Sequence, residues 1–140
     1  MISFKVKKLS PTAKLPRKAH ATDAGIDIYS NETHVLQPGE AHAFPTGIAT
    51  EFPEGYVALV WDRSSLGAAG IHRLAGVIDS GYRGEWKIIL LNTTDKPYSI
   101  KRGEKIAQAL LQSFEPVKIV LVKRLTGSSR GSKGFGSSGK

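Results

Sequence analysis

The sequence has no cysteine and a single methionine. The first absence removes disulfides, thiolate nucleophiles and thiolate metal sites from consideration. No apolar run is long enough to cross a bilayer. The opening Met1–Leu9 alternates charged with apolar residues and lacks the apolar stretch that heads a secreted chain. A soluble, cytoplasmic protein with no membrane partner is the expectation. There is no amphipathic helix of useful length and no internal repeat. Four histidines are present (His20, His34, His42 and His72), but none forms an i, i+4 pair on a helix face. Their spacing reads as surface residues and not as a zinc site. Acids are also scarce: 12 Asp and Glu stand against 20 Lys and Arg, a net charge of +8. Such an excess suits an anionic partner, whether nucleic acid, a phosphorylated small molecule or an acidic surface, and equally serves solubility alone.

What the 140 residues do contain is strand signal. Ile2, Phe4, Val6 and Leu9 alternate with polar residues. Short apolar runs follow at Gly25–Tyr29, Thr33–Leu36, Gly47–Phe52, Tyr56–Trp61, Trp86–Leu91, Ile106–Phe114 and Val117–Leu125. Pro38-Gly39, Pro45, Pro53-Glu54-Gly55, Asp95-Lys96-Pro97 and Arg102-Gly103 punctuate them as turns. Many short strands divided by turns predict an all-β sandwich or barrel with at most one short helix, Ser64 to about Ala69. Residues 1–125 read as one β domain. Residues 126–140, rich in Gly and Ser, read as a flexible arm with Phe135 as its one aromatic.

Several segments carry chemistry-bearing residues. Gly76-Val77-Ile78-Asp79-Ser80-Gly81-Tyr82-Arg83-Gly84-Glu85 ends an apolar strand on an Asp before a Gly turn and an aromatic. It reads either as a plain hairpin or as a carboxylate general base beside a ring able to pack on a sugar. Arg63-Ser64-Ser65-Leu66-Gly67 opens the short helix with an Arg and two hydroxyls. That is either a simple helix start or an anion site, since unpaired N–H groups and the helix dipole both favour phosphate. Asp27 in Ala24-Gly25-Ile26-Asp27 suits a hydrogen-bonded structural role. In the arm, Arg130 and Phe135 suit a lid in which the cation neutralises phosphate and the ring covers a flat base.

Taken in order, these segments resemble the trimeric dUTPase family, which has five short motifs. Ala24-Gly25-Ile26-Asp27-Ile28 is similar to the first, and Asp62-Arg63-Ser64-Ser65-Leu66-Gly67 to the second. Gly76–Glu85 resembles the third, the most specific of them. Arg102-Gly103-Glu104-Lys105-Ile106-Ala107-Gln108 resembles the fourth, and Arg130–Gly139 the fifth. The match departs at Asp62, where Pro is frequent, at Ser65, where Gly is, and at Arg73 and Gly81, where many members carry Asp or Asn.

The resemblance implies a jelly-roll-like β fold, a homotrimer with shared active sites, and Mg²⁺ on the triphosphate with no direct protein ligand. It implies hydrolysis of dUTP to dUMP and pyrophosphate, which keeps uracil out of DNA and supplies dUMP for thymidylate synthesis. By position, Asp79 activates the water, with Asp27 in support. Arg63, Ser64, Ser65 and Gln108 hold phosphates, and Arg130, Ser137 and Ser138 clamp the terminal one. Gly76, Val77, Ile78 and Lys87 read the uracil edge, Tyr82 packs on deoxyribose, and Phe135 stacks on the base.

Two other readings compete. The dCTP deaminase family shares the fold and an Arg-Ser-Ser-Leu segment, but it uses a Glu and an Arg where Ile89 and Ala68 stand here. A nucleic-acid-binding β-barrel draws on the charge and on Trp61, Trp86 and Tyr82, although these sit singly and not as a platform.

Overall fold

Alternating burial lays down the strands. In the computed structural model, which describes residues 1–134, β1 (Lys5–Lys8), β2 (Ile26–Tyr29), β3 (His34–Leu36), β4 (Ala41–Pro45) and β5 (Ile48–Glu51) come first. After them come β6 (Tyr56–Trp61), the one short helix α1 (Ser64–Ala68), β7 (Ile71–Leu74) and β8 (Val77–Asp79). The last are β9 (Lys87–Asn92), β10 (Tyr98–Ile100) and β11 (Lys105–Ser113). In β9 the buried residues are Ile88, Leu90 and Asn92, every second position, as a strand with one face on the core requires. All pairings are antiparallel. The strands make a four-stranded sheet β2-β11-β6-β8, a three-stranded sheet β4-β9-β7, and two-stranded pairs β1-β5 and β3-β10. This is the expected all-β, jelly-roll architecture with one short helix. No helix among the described residues is long and apolar enough to cross a membrane.

The sequence reading located most strands within a residue or two and missed β4, β7 and β10. β4 hides because it is short, carries His42 and ends on Pro45, and only Phe44 in it is buried. Val117–Leu125, expected as a strand, is not one. Val117, Ile119 and Leu121 are almost fully exposed, and they pair with no strand among the described residues. Alternation gives a strand only where a partner completes the backbone hydrogen bonds.

Trp86 is the centre of the packing and is wholly buried. Its indole N–H donates to Thr50 Oγ1 at 3.0 Å, and Phe4 meets it edge-on with ring centroids 6.0 Å apart. The Trp86 carbonyl accepts from the Thr46 hydroxyl at 2.6 Å, and its N–H donates to the Ile48 carbonyl at 3.0 Å. Asn92 is the principal buried amide. Its Nδ2 donates to the Leu36 and Lys96 carbonyls, and its Oδ1 accepts from the Thr94 N–H and hydroxyl. A buried amide satisfied on both ends costs little to hold but much to truncate.

Two stability predictions follow from these contacts. Asn92→Ala orphans the Leu36 and Lys96 carbonyls and should destabilise the chain by about 2–4 kcal/mol, read from denaturant melts; a loss below about 0.5 kcal/mol would contradict the packing described. On the surface, the Lys5 ammonium hydrogen-bonds the Glu51 carboxylate across β1 and β5 and holds that carboxyl below its ordinary value of 4.5. A depressed folded-state pKa contributes stability above 4.5 that is lost as pH falls through the lower folded value. The gap in melting temperature between wild type and Glu51→Gln should therefore be open at pH 7 and close on acidification. A gap that widens in acid contradicts the sign.

Candidate active site

β11 carries a bulge, and the bulge builds the first cleft. Its register against β2 shifts between Lys105 and Ala107, and Ile106 and Ala107 are buried consecutively. In a regular strand Lys105 and Gln108, three apart, point to opposite faces. One extra residue between them turns both to the same side. Both line a cleft of about 420 Å³ together with Asp23, Gly25, Asp27, Arg63 and Ser64. Asp27 lies opposite Gln108 on β2, and its Oδ2 forms an ion pair with Lys105 Nζ at 2.6 Å.

The Gln108 amide is held in place from two sides. Its Nε2 donates to the Asp62 carbonyl at 2.8 Å. Gly25 lies so close that a Cβ there would meet Gln108 Oε1 at 2.5 Å. Arg63 precedes α1 and takes the N-cap position, with extended backbone and no side-chain cap for the first turn. Its Nη1 donates to the Lys105 carbonyl at 3.1 Å, one of the five N–H donors of a guanidinium. Ser64 lines the cleft. Ser65 is exposed on the same turn and outside the lining. Asp62 spends its carboxylate on β7, accepting the Arg73 N–H at 2.7 Å and pairing with His72 Nδ1.

The second cleft, of about 240 Å³, is lined by Val77, Ile78, Asp79, Tyr82, Glu85 and Lys87. Gly76, with φ 124°, lets the backbone run against β6. A Cβ there would meet Val60 Cβ at 2.9 Å, and the Gly76 carbonyl accepts the Val60 N–H at 2.8 Å. Ala75 before it also sits at positive φ, 61°, a conformation that costs a non-glycine residue about 1–2 kcal/mol. Asp79 ends β8 and its carbonyl accepts the Tyr82 N–H at 3.1 Å, closing the turn. Among the described residues the Asp79 carboxylate has no hydrogen-bond or ion-pair partner. Tyr82 is 45% exposed, and its hydroxyl donates to the Glu85 carbonyl at 3.0 Å, so the ring is exposed but tethered. Glu85 Oε1 accepts the Gly47 N–H at 2.8 Å.

The two clefts lie apart within one chain. Asp79 pairs with Val57 on one side of β6 and Gln108 pairs with Trp61 on the other. Four residues of strand and two strand spacings separate them by roughly 16 Å.

Sequence reasoning missed Lys105 as a cleft residue, because the bulge that turns it inward has no local signature. It also missed Glu85 as the brace of the hairpin. Arg130 is exposed, with its Nε donating to the Lys133 carbonyl at 3.0 Å, and it lies in neither cleft. Phe135, Ser137 and Ser138 fall outside the described residues. Trp86, counted toward a nucleic-acid platform, is buried and unable to stack on a base. Trp61 is half-exposed beneath the Arg73 guanidinium, 5.1 Å from its ring centroid.

Comparison with known proteins agrees with the order of these elements. A family model described as dUTPase matches residues 12–139. The deoxyuridine 5'-triphosphate nucleotidohydrolase of Clostridium tetani is 42% identical over 99% of this chain and 97% of its own. That of Clostridioides difficile is 42% identical over 99% of both. The solved structure of Staphylococcus bacteriophage 80alpha dUTPase with dUPNHPP superposes with a TM-score of 0.91 at 34% identity, covering 99% of each chain. The D95N mutant dUTPase of phage phi11 of S. aureus, described with a structural Mg(II) ion, gives 0.83 at 29% identity, covering 89% of this chain and 99% of its own. A bulged strand facing an arginine-led helix start, a Gly-Asp hairpin and near-complete coverage by these relatives lead to one conclusion: the chain belongs to the dUTPase family.

Proposed function

We infer that this chain hydrolyses dUTP to dUMP and pyrophosphate. The observation that carries the reaction is the Asp79 carboxylate, without a partner among the described residues, beside the tethered Tyr82 ring in a chain matched to dUTPases from residue 12 to 139. An Asp carboxylate at neutral pH is ionised and able to take a proton from water. That water's oxygen bonds to the α-phosphorus, the bond to the bridging oxygen breaks, and pyrophosphate leaves. Tyr82 cannot swing aside while the Glu85 carbonyl holds its hydroxyl. Packed on deoxyribose, it leaves no room for a 2′-hydroxyl. Backbone groups at Gly76, Val77 and Ile78, with Lys87, read the uracil edge.

The other cleft takes the phosphates. Phosphoryl transfer asks chiefly for positioning and charge neutralisation. Arg63, Ser64, Ser65 and Gln108 supply donors, and Asp27 supports them by fixing Lys105. The cleft's acids are Asp23 and Asp27, and Asp27 is committed to Lys105. That donor set is poor for a bare divalent ion but fits Mg²⁺ carried by phosphate oxygens and water. Bound in that way, Mg²⁺ neutralises charge on the triphosphate. The arm, residues 126–140, brings Phe135 over uracil and Arg130, Ser137 and Ser138 onto the terminal phosphate.

Two features support sites shared between copies, and the resemblance to the trimeric dUTPase family supports three as their number. Groups roughly 16 Å apart cannot serve one α-phosphate and its neighbours, so Asp79 of one copy works with Arg63 and Gln108 of another. The apolar run Val117–Leu125, largely exposed among the described residues, is the kind of surface that another copy covers.

Asp79→Asn keeps the shape and removes the basicity. It should lower turnover by ~10²–10⁴-fold while leaving dUTP-analogue binding within about tenfold, and wild-type pyrophosphate release by this variant overturns the base assignment. In the same assay wild type should favour dUTP strongly over UTP, dTTP and dCTP. For the assembly, light scattering should give about three chains per particle. Asp79→Asn and Arg63→Ala chains, each inactive alone, should regain part of the wild-type rate when refolded together, because some sites then join an intact Asp79 to an intact Arg63. Mixtures as inactive as their parents would falsify the shared site.

A further inference from the structure

A second cluster of donor side chains stands on β3, β4 and the turns beside them, on none of the residues assigned to either cleft. His34 on β3 and His42 on β4 stack face to face, with ring centroids 3.9 Å apart and planes 11° from parallel. His34 Nε2 lies 2.7 Å from Glu40 Oε1, and His42 Nε2 lies 2.5 Å from Glu32 Oε1. The ligand atoms of His34, Glu40 and His42 all fall within 4.8 Å of one another, the one group of this kind among the described residues. Phe44, wholly buried, closes one side, presenting its ring edge-on to both imidazoles. The four side chains are about one-third exposed, open to an ion from solution.

We propose that His34, His42, Glu40 and Glu32 form a binding site for one Zn²⁺-type divalent ion per chain, distinct from the nucleotide's metal. Two imidazoles and two carboxylates suit a borderline ion that prefers nitrogen and oxygen in a tetrahedron, and suit Mg²⁺ and Ca²⁺ poorly, since these take oxygen ligands throughout. The charge balances: two carboxylates neutralise a dication, and each imidazole ligates as the neutral ring through Nε2 with its proton on Nδ1. Ligand atoms about 3.4 Å apart are required for bonds near 2.1 Å. Reaching that from spacings of up to 4.8 Å requires the two stacked rings to tilt out of parallel so that both nitrogens converge on the ion, with Glu32 following His42. Glu40 is already oriented, because its Oε2 accepts the Gln37 N–H at 2.6 Å, the kind of outer contact that fixes a ligating carboxylate. The scaffold is fixed too: β3 is hydrogen-bonded to β10 and β4 to β9. His34 and His42 therefore belong to different sheets, and an ion held between them staples the two together. Linear spacing hid the site because eight positions and a Pro38-Gly39 turn separate the two histidines.

Isothermal titration of the full chain with Zn²⁺, without nucleotide, should show one saturable site per chain. It should raise the melting temperature by at least about 3 °C at saturation, and millimolar Mg²⁺ should not compete. The His34→Gln/His42→Gln double variant should lose the site, while His20→Gln/His72→Gln keeps it. Long-range ¹H–¹⁵N spectra of the wild-type histidines decide the matter even where the double variant misfolds: Zn²⁺ should move the Nε2 resonances of His34 and His42 and leave those of His20 and His72. Absence of saturable binding, binding that survives in the folded double variant, or unmoved His34 and His42 resonances each overturns the proposal.

Discussion

Trp86 stands one residue beyond the hairpin that carries Asp79 and Tyr82, and that placement governs the whole hairpin. Its indole fills the core, its N–H is spent on Thr50, and its backbone is tied to Thr46 and Ile48. A fully buried aromatic of this size contributes several kcal/mol. Its neighbour Glu85 reaches back to the Gly47 N–H, so Thr46–Thr50 grips both residues at the base of the turn. At the other end Gly76 lies against Val60. An exposed loop carrying the proposed base would ordinarily be mobile; this one is pinned at both ends, while Val77, Asp79 and Tyr82 face solvent.

The cleft proposed for the phosphates depends on a different device. Its geometry comes from the extra residue in β11, which gathers Lys105 and Gln108 onto one face beside Arg63. Its electrostatics are local. Most of the chain's positive excess lies elsewhere, on exposed residues such as Lys7, Lys8, Lys118, Lys123 and Arg124, while Lys105 is neutralised by Asp27. The net charge that pointed to an anionic partner says little about where that partner binds.

How much of this was legible from sequence follows from the range of the interactions. Strands such as Tyr56–Trp61 were readable because local alternation and flanking turns fix them. The five motifs were readable because their order along the chain is itself the signal. The bulge at Ile106, the burial of Trp86 and the meeting of His34 with His42 were not, because each depends on pairing between distant strands. Val117–Leu125 shows the converse: its pattern is that of a strand, and no strand among the described residues pairs with it.

The contact between Gly25 and Gln108 also limits how this sequence can change. With Gln108 as it stands, a Cβ at position 25 would meet its Oε1 at 2.5 Å. Oε1 is the far end of a flexible side chain, so a substitution at 25 is accommodated by turning the amide and not by moving the backbone. The two positions, far apart along the chain, are coupled through the orientation of that amide: a side chain at 25 leaves the strands in place and re-aims the group that Gln108 offers to the cleft.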